Sequence, residues 1–244
     1  MKQIAVIVII VHIANLAISQ PKWNLSLAAG TTLQKGNVNK FDVRSSGEIG
    51  VTDSLYSLSA YFKGVYGELK NIENAREISG GVKYDYKPQH RISPFLALEI
   101  YSNKFKGIDI KSYYLAGVKY RFYQNESADI SISSAAVYDF TQYTPPSDNT
   151  ETQKPNTTII RLSVRPKIKF QIGKNMSFMH ITFVQPDITN FSDYIVDSKT
   201  TLSNKITKAI SLDITFDYSY YSVLPSTKFQ NSDYAAYLTL KVKI

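Results

Sequence analysis

From Thr158 to Ile172 the chain keeps a strict two-residue rhythm. Ile160, Leu162, Val164, Pro166, Ile168, Phe170 and Ile172 alternate with Arg161, Ser163, Arg165, Lys167, Lys169 and Gln171. Successive side chains of a β-strand point to opposite faces. This segment therefore has one apolar face and one densely basic face. The same rhythm returns in segment after segment, almost to Ile244, and marks the chain as all-β.

The first residues add a second constraint. Met1-Lys2-Gln3 is a short positive start, Ile4 to Ala17 is apolar, and Ala17-Ile18-Ser19 is a small-x-small cleavage site before Gln20. This pattern predicts a secretory signal peptide over residues 1–19, too short for a stable spanning helix, with residues 20–244 as one exported domain. An uncleaved N-terminal anchor is the alternative, and the short apolar run argues against it. No later stretch approaches the ~18 apolar residues of a spanning helix. The exported part is then either a soluble β-domain or a transmembrane barrel. The absence of Cys from all 244 residues argues against a small disulfide-stapled module.

Twelve alternating segments are predicted, the eighth at Thr158–Ile172 and the last at Ser232–Ile244. Most reach the ~9–11 residues that a tilted strand needs to cross a bilayer. Short links rich in Asn, Asp, Gly and Pro alternate with mostly longer ones, such as Gly67–Ala75 and the polar Thr141–Thr157. Short turns at one end and longer loops at the other, with an even strand number, describe an outer-membrane barrel whose termini share the periplasmic side. Aromatic residues make up 13% of the chain and gather toward the ends of the apolar faces, as membrane-interface girdles do. The expected fold is an antiparallel up-and-down transmembrane β-barrel of about 12 strands in the bacterial outer membrane, in contact with outer-membrane lipids. A soluble sandwich or lipocalin-like barrel is the competing architecture, since alternation alone does not say which face is inside.

On the barrel reading the polar faces line a lumen. The net charge of +8 suits anionic sugars, head groups or small anionic solutes as partners and gives no reason to invoke nucleic acid. Pairing strands seven and eight across the long loop places Asp139 near Arg161 and Asp129 near Lys169, as direct or diagonal neighbours. Arg165 and Lys167 then face Ala135 and Ser133, which cannot neutralise them. The basic column Arg161, Arg165, Lys167 and Lys169 is the candidate lumen site, with Arg165 and Lys167 at its centre. Two roles compete for such charges: filling and rigidifying the lumen through cross-strand pairs, or forming a conduit that prefers anions.

Catalysis has little support. Of the three His, His12 leaves with the signal, His90 lies in a turn and His180 lies on a segment whose facing the rhythm leaves open. A lipid-active barrel enzyme needs a hydroxyl nucleophile activated by His, and no Gly-x-Ser-x-Gly sequence is present. No metal site or cofactor is expected, and the chain is read as a non-enzyme.

The final segment alternates Leu238, Leu240, Val242 and Ile244 with Thr239, Lys241 and Lys243. It suits closure against the first strand and resembles the C-terminal signal read by the outer-membrane assembly machinery, although that signal usually ends in an aromatic residue rather than Ile244. The stretch Leu27-Ala28-Ala29-Gly30 followed by Lys35-Gly36-Asn37, and the segment Ser112-Tyr113-Tyr114-Leu115-Ala116-Gly117-Val118-Lys119-Tyr120-Arg121-Phe122, resemble the YdiY-like salt-induced outer membrane protein family. The resemblance implies an outer-membrane barrel of unknown function and brings no catalytic or ligand residues with it.

Overall fold

The computed structural model describes residues 21–35, 40–69, 72–144, 155–223 and 230–244. They form twelve antiparallel strands: β1 (Lys22–Lys35), β2 (Lys40–Thr52), β3 (Tyr56–Leu69), β4 (Ile72–Tyr86), β5 (Ile92–Asn103), β6 (Ile108–Gln124), β7 (Ala128–Tyr143), β8 (Thr157–Ile172), β9 (Met176–Pro186), β10 (Tyr194–Lys205), β11 (Ile210–Tyr221) and β12 (Ser232–Lys243). Each strand pairs with its neighbours in sequence, and β1 pairs with β12, so the sheet closes. Closure removes the unpaired edges that an open sheet would present. Among the described residues no helix is long and apolar enough to cross a membrane. The crossing elements are strands.

The seam is tight. Ala29 pairs with Leu240 and Gly30 with Thr239. A Cβ on Gly30 would lie 2.1 Å from the Leu238 carbonyl oxygen, so closure at this point requires a residue without a side chain.

The apolar faces point outward. Ile160 and Leu162 are exposed on β8, while Arg161, Ser163 and Arg165 on its other face are buried. Exposed Trp23, Tyr86, Phe122 and Phe170 mark the end of the barrel that carries the termini, and Tyr66, Tyr138 and Tyr234 the other end. That inside-out arrangement is the barrel's, not a sandwich's.

One detail differs from the sequence reading. The predicted loop Gly67–Ala75 is largely strand. β3 and β4 continue through it past a bulge between Gly67 and Glu68, and only residues 70–71 lie between the two strands. Its charges made it read as a loop, yet a hairpin projecting beyond the apolar zone needs no apolar face. Glu73 pairs there with Arg76 and Lys104, each at 2.5 Å. The facing of β9, which the rhythm leaves open, is also settled: Met179, Ile181 and Phe183 point inward, and Met176, Phe178 and Val184 share the outer face with His180. Ile181 pairs with Lys167 and Lys199, and Met179 with Lys169 and Thr201, so both share the lumen face of those residues. Phe183 follows in the same alternation and lies under the Arg165 guanidinium, 4.9 Å from ring centroid to Cζ. His180 therefore faces outward.

Candidate functional site

Alternation on twelve tilted strands brings the polar faces together around the barrel axis. The space that the described residues enclose includes two cavities. The outer one, of about 480 Å³, lies away from the termini, and the inner one, of about 650 Å³, lies at the end that carries them. Both are lined by Arg44, Tyr61, Lys63 and Tyr237. The Arg44 guanidinium lies 3.7 Å above the Tyr237 ring centroid at this girdle.

In the outer cavity positive and negative side chains are nearly balanced, and the cations are engaged. Lys63 Nζ lies 3.5 Å from Glu77 Oε1 and Lys111 Nζ lies 3.2 Å from Asp139 Oδ2. Arg161 is 4% exposed. Its Nε is 3.5 Å from Asp139 Oδ2 and its guanidinium 3.1 Å from Asp193 Oδ1. The same guanidinium donates to the carbonyls of Gln185 and Asp193. Arg161 thus ties β7, β8 and the β9–β10 link into one rim. In that link, Asp187 accepts from the Thr189 amide and hydroxyl. Those bonds hold its carboxyl below the usual range.

The link between β5 and β6 contributes a cation to the same cavity. Residues Lys104–Lys106 form one 3-10 turn, capped by the Asn103 side chain, which accepts from the Lys106 amide at 2.9 Å. Gly107 ends the turn at φ 64°, a backbone conformation that suits glycine. Lys106 Nζ lies 3.3 Å from Asp233 Oδ2 and 5.8 Å from the Tyr221 ring centroid. Burial alone would lower its pKa, but Tyr221, Tyr101, Asp233 and Glu77 outweigh burial and hold the ammonium above the usual lysine range.

The inner cavity is unbalanced. Eight Lys or Arg side chains line it against two carboxylates, Glu48 and Asp213. Among the described residues, none of Lys169, Lys205, Lys208, Lys241 and Lys243 has a carboxylate oxygen within 4.0 Å. Of the other lining cations, Lys199 lies 3.9 Å from Asp217 and Lys63 is engaged by Glu77.

Between the cavities, one side of the wall is apolar. Phe95, Leu115, Ala135 and Val137 form a buried cluster from β5, β6 and β7, with Ala97 and Tyr113 packed against it.

The four predicted basic residues are spread along the axis. Arg161 lines the outer cavity and Lys169 the inner one. Arg165 and Lys167 lie between. The β7–β8 register pairs Arg165 with Ser133 and Lys167 with Ser131, one pair along from the expected Ala135 and Ser133. Arg165 Nε donates to Ser163 Oγ at 2.8 Å. Arg161 reaches Asp139 diagonally, because its direct partner is Val137. Asp129 is directly opposite Lys169, but its ion pair is with Arg121, at 3.5 Å.

Sequence reasoning missed the weight of the inner cluster. Lys205 ends β10 and Lys208 lies in the short turn to β11, and their convergence with Lys169, Lys241 and Lys243 follows from the way β8 to β12 curve around the lumen. The Lys106–Asp233 contact had no local signal at all.

His180 takes part in a polar chain on the outer surface. Its Nδ1 is 2.9 Å from Thr200 Oγ1, its Nε2 3.0 Å from Thr182 Oγ1, and Thr182 Oγ1 is 3.0 Å from Ser198 Oγ.

The family model described as a protein of unknown function, DUF481, matches residues 27–244. The chain belongs to the DUF481 family. No curated protein sequence matches it. Among solved structures, this DUF481 barrel is similar to the NanC porin at 9% identity and a TM-score of 0.60, covering 89% of this chain and 100% of that one. It is also similar to the KdgM porin, solved in complex with disordered oligogalacturonate, at 11% identity and a TM-score of 0.51, covering 89% of this chain and 98% of that one. At such identities the likeness is one of fold: the DUF481 chain has the architecture of outer-membrane porins.

Proposed function

We propose that this DUF481 barrel is a narrow pore of the bacterial outer membrane that favours small anionic solutes. The observation that carries the reading is the inner cavity, where the six lysines that the outer cavity does not share, Lys169, Lys199, Lys205, Lys208, Lys241 and Lys243, face two carboxylates, Glu48 and Asp213. A low-dielectric wall focuses the field of such a cluster and raises the local concentration of anions. The outer cavity adds little net field, because its charges are spent on each other. The KdgM porin was solved with oligogalacturonate, and galacturonate is a sugar acid, the ligand chemistry this cavity fits.

The same reading puts the termini and the basic cavity on the periplasmic side, takes residues 1–19 as a cleaved signal, and counts outer-membrane lipids and the assembly machinery as partners. It assigns no enzymatic activity. The narrower likeness to YdiY-like barrels belongs to this reading as well, carried by the stretches at Leu27–Gly30 and Ser112–Phe122.

Liposome swelling tests it. With protein in the bilayer, a monocarboxylate sugar acid should enter faster than the neutral sugar of equal size. Equal rates, or faster neutral uptake, would overturn the preference. A second reading, a structural barrel with a closed lumen, draws on the buried Phe95, Leu115, Ala135 and Val137 cluster. It predicts no swelling with either sugar.

A further inference from the structure

Lys106 and Asp233 come from opposite walls. The turn that carries Lys106 joins β5 to β6, and Asp233 lies at the start of β12. In the closed sheet, β1 to β4 separate them one way round and β7 to β11 the other. Strands this far apart meet only across the lumen. Their side chains nevertheless form an ion pair at 3.3 Å, with 22% and 7% of their surfaces exposed.

The lysine end is held from several sides. Lys104 in the same turn pairs with Glu73. Asn103 caps the turn and also donates to the Tyr101 hydroxyl at 2.8 Å and to Glu77 at 3.1 Å. The Thr144 amide donates to the Gly107 carbonyl at 3.0 Å. The backbone under Lys106 is therefore fixed on the β4, β5 and β7 side, and its four-carbon stem reaches inward. The other outer-cavity pairs described above join neighbouring strands or links, such as Lys63 with Glu77 and Lys111 with Asp139. Those pairs lie along the wall and leave the lumen's width alone. The Lys106–Asp233 pair divides it.

We infer that the Lys106–Asp233 pair is a bar across the outer mouth that sets the size of solute the pore admits. This rests on the pore reading above. A largely buried pair in the mouth obstructs by its volume and its fixed geometry, while its balanced charge leaves ion preference to the inner cavity. The bar and the inner cluster thus divide the work: one filters by size and the other by sign.

Single-channel recording with polyethylene glycols of increasing size tests it. Lys106→Met and Asp233→Asn should each raise conductance about twofold and admit larger polymers, with the anion preference unchanged. The exchange of the two residues, Lys106→Asp with Asp233→Lys, should restore the wild-type cutoff. The chain has no Cys, so Lys106→Cys with Asp233→Cys gives one addressable pair. A direct disulfide needs Cα atoms about 4.4–6.8 Å apart, closer than a lysine reaching an aspartate, so a short cleavable bis-thiol linker is the probe. Linking should lower conductance below that of the unlinked double variant, and cleavage should recover it. Unchanged conductance and cutoff in both single variants of a conducting protein would overturn the bar and leave the pore reading standing. Silence of the wild type and of every variant would overturn both. A silent wild type with conducting variants would support the bar as a closure.

Discussion

Asp129 stands directly opposite Lys169 in the β7–β8 ladder, yet its carboxylate pairs with Arg121 on β6, at 3.5 Å. Arg121 is further held by the carbonyls of Gln89 and Pro88, both at 3.1 Å. Its three partners fix it at the base of the wall. Lys169 keeps its charge for the inner cavity.

The two cations should therefore behave differently when neutralised. Lys169→Gln, combined with Lys241→Gln and Lys243→Gln, should reduce the anion preference of the pore without lowering stability. Arg121→Gln should do the reverse, lowering resistance to urea while ion preference is kept. Bilayer reversal potentials and urea titrations in lipid vesicles report the two effects. A stability loss in the triple variant with selectivity intact would refute this division of roles.

Arg161 is a structural cation. Removing it leaves Asp139, 2% exposed, with only Lys111 as an ion-pair partner among the described residues. Breaking a buried pair costs roughly 3–5 kcal/mol when the remaining charge is uncompensated. Lys111 offsets part of that, so Arg161→Leu should destabilise the barrel toward the lower end of the range. The change should be visible as a lower urea midpoint and a lower temperature for the heat-modified gel shift. The double replacement Arg161→Leu with Asp139→Leu should recover part of the loss, and failure to do so would argue against the pair.

Closure depends on Gly30. An added methyl group would collide with the Leu238 carbonyl, and overpacking of this kind costs about 1–3 kcal/mol. Gly30→Ala should slow folding into vesicles and lower the urea midpoint. The same substitution at Gly173, with φ 63° but open space around its Cβ, should cost only the backbone strain of an exposed turn. Equal effects at both sites would mean that the seam tolerates side chains.

His180 and Thr182 face the lipid with hydroxyl and imidazole 3.0 Å apart. Among the described residues His180, in contact with the Thr182 and Thr200 hydroxyls, is the His that nucleophilic catalysis of this kind would use. The non-enzymatic reading predicts no release of fatty acid from phospholipid vesicles, and identical traces for the wild type and His180→Ala. Release that disappears in His180→Ala would reverse that assignment. Interhelical polar bonds in membranes contribute about 0.6 kcal/mol on average. On that scale His180→Leu should leave stability within about 1 kcal/mol.

The strand count, the closed antiparallel order and the outward apolar face were legible because a period of two extends through the whole chain. Ile160 and Arg161 could be assigned to opposite faces from their neighbours alone. β9 resisted because its lumen face carries Met179, Ile181 and Phe183 while its outer face carries His180 and Thr182. Both faces of β9 therefore mix polar and apolar residues, with Met176, Phe178 and Val184 outside and Phe183 packed under Arg165 inside. The charged hairpin of β3 and β4 reads as a loop in the sequence because beyond the membrane zone alternation no longer has to be apolar. The basic column on β8 was visible. What each cation does depends on partners fixed by barrel closure, as with Arg161 and Asp193. The Lys106–Asp233 pair lies across the lumen, where no pattern along a strand can report it.

The central claim is that the unbalanced inner cavity makes this barrel an anion-preferring pore. The reversal potential of the reconstituted wild-type protein under a potassium chloride gradient tests it most directly. The account predicts a potential displaced toward the chloride equilibrium value, and a smaller displacement when Lys169, Lys241 and Lys243 are replaced together by Gln. A potential displaced toward the potassium value, or one unaffected by those three replacements, would contradict it.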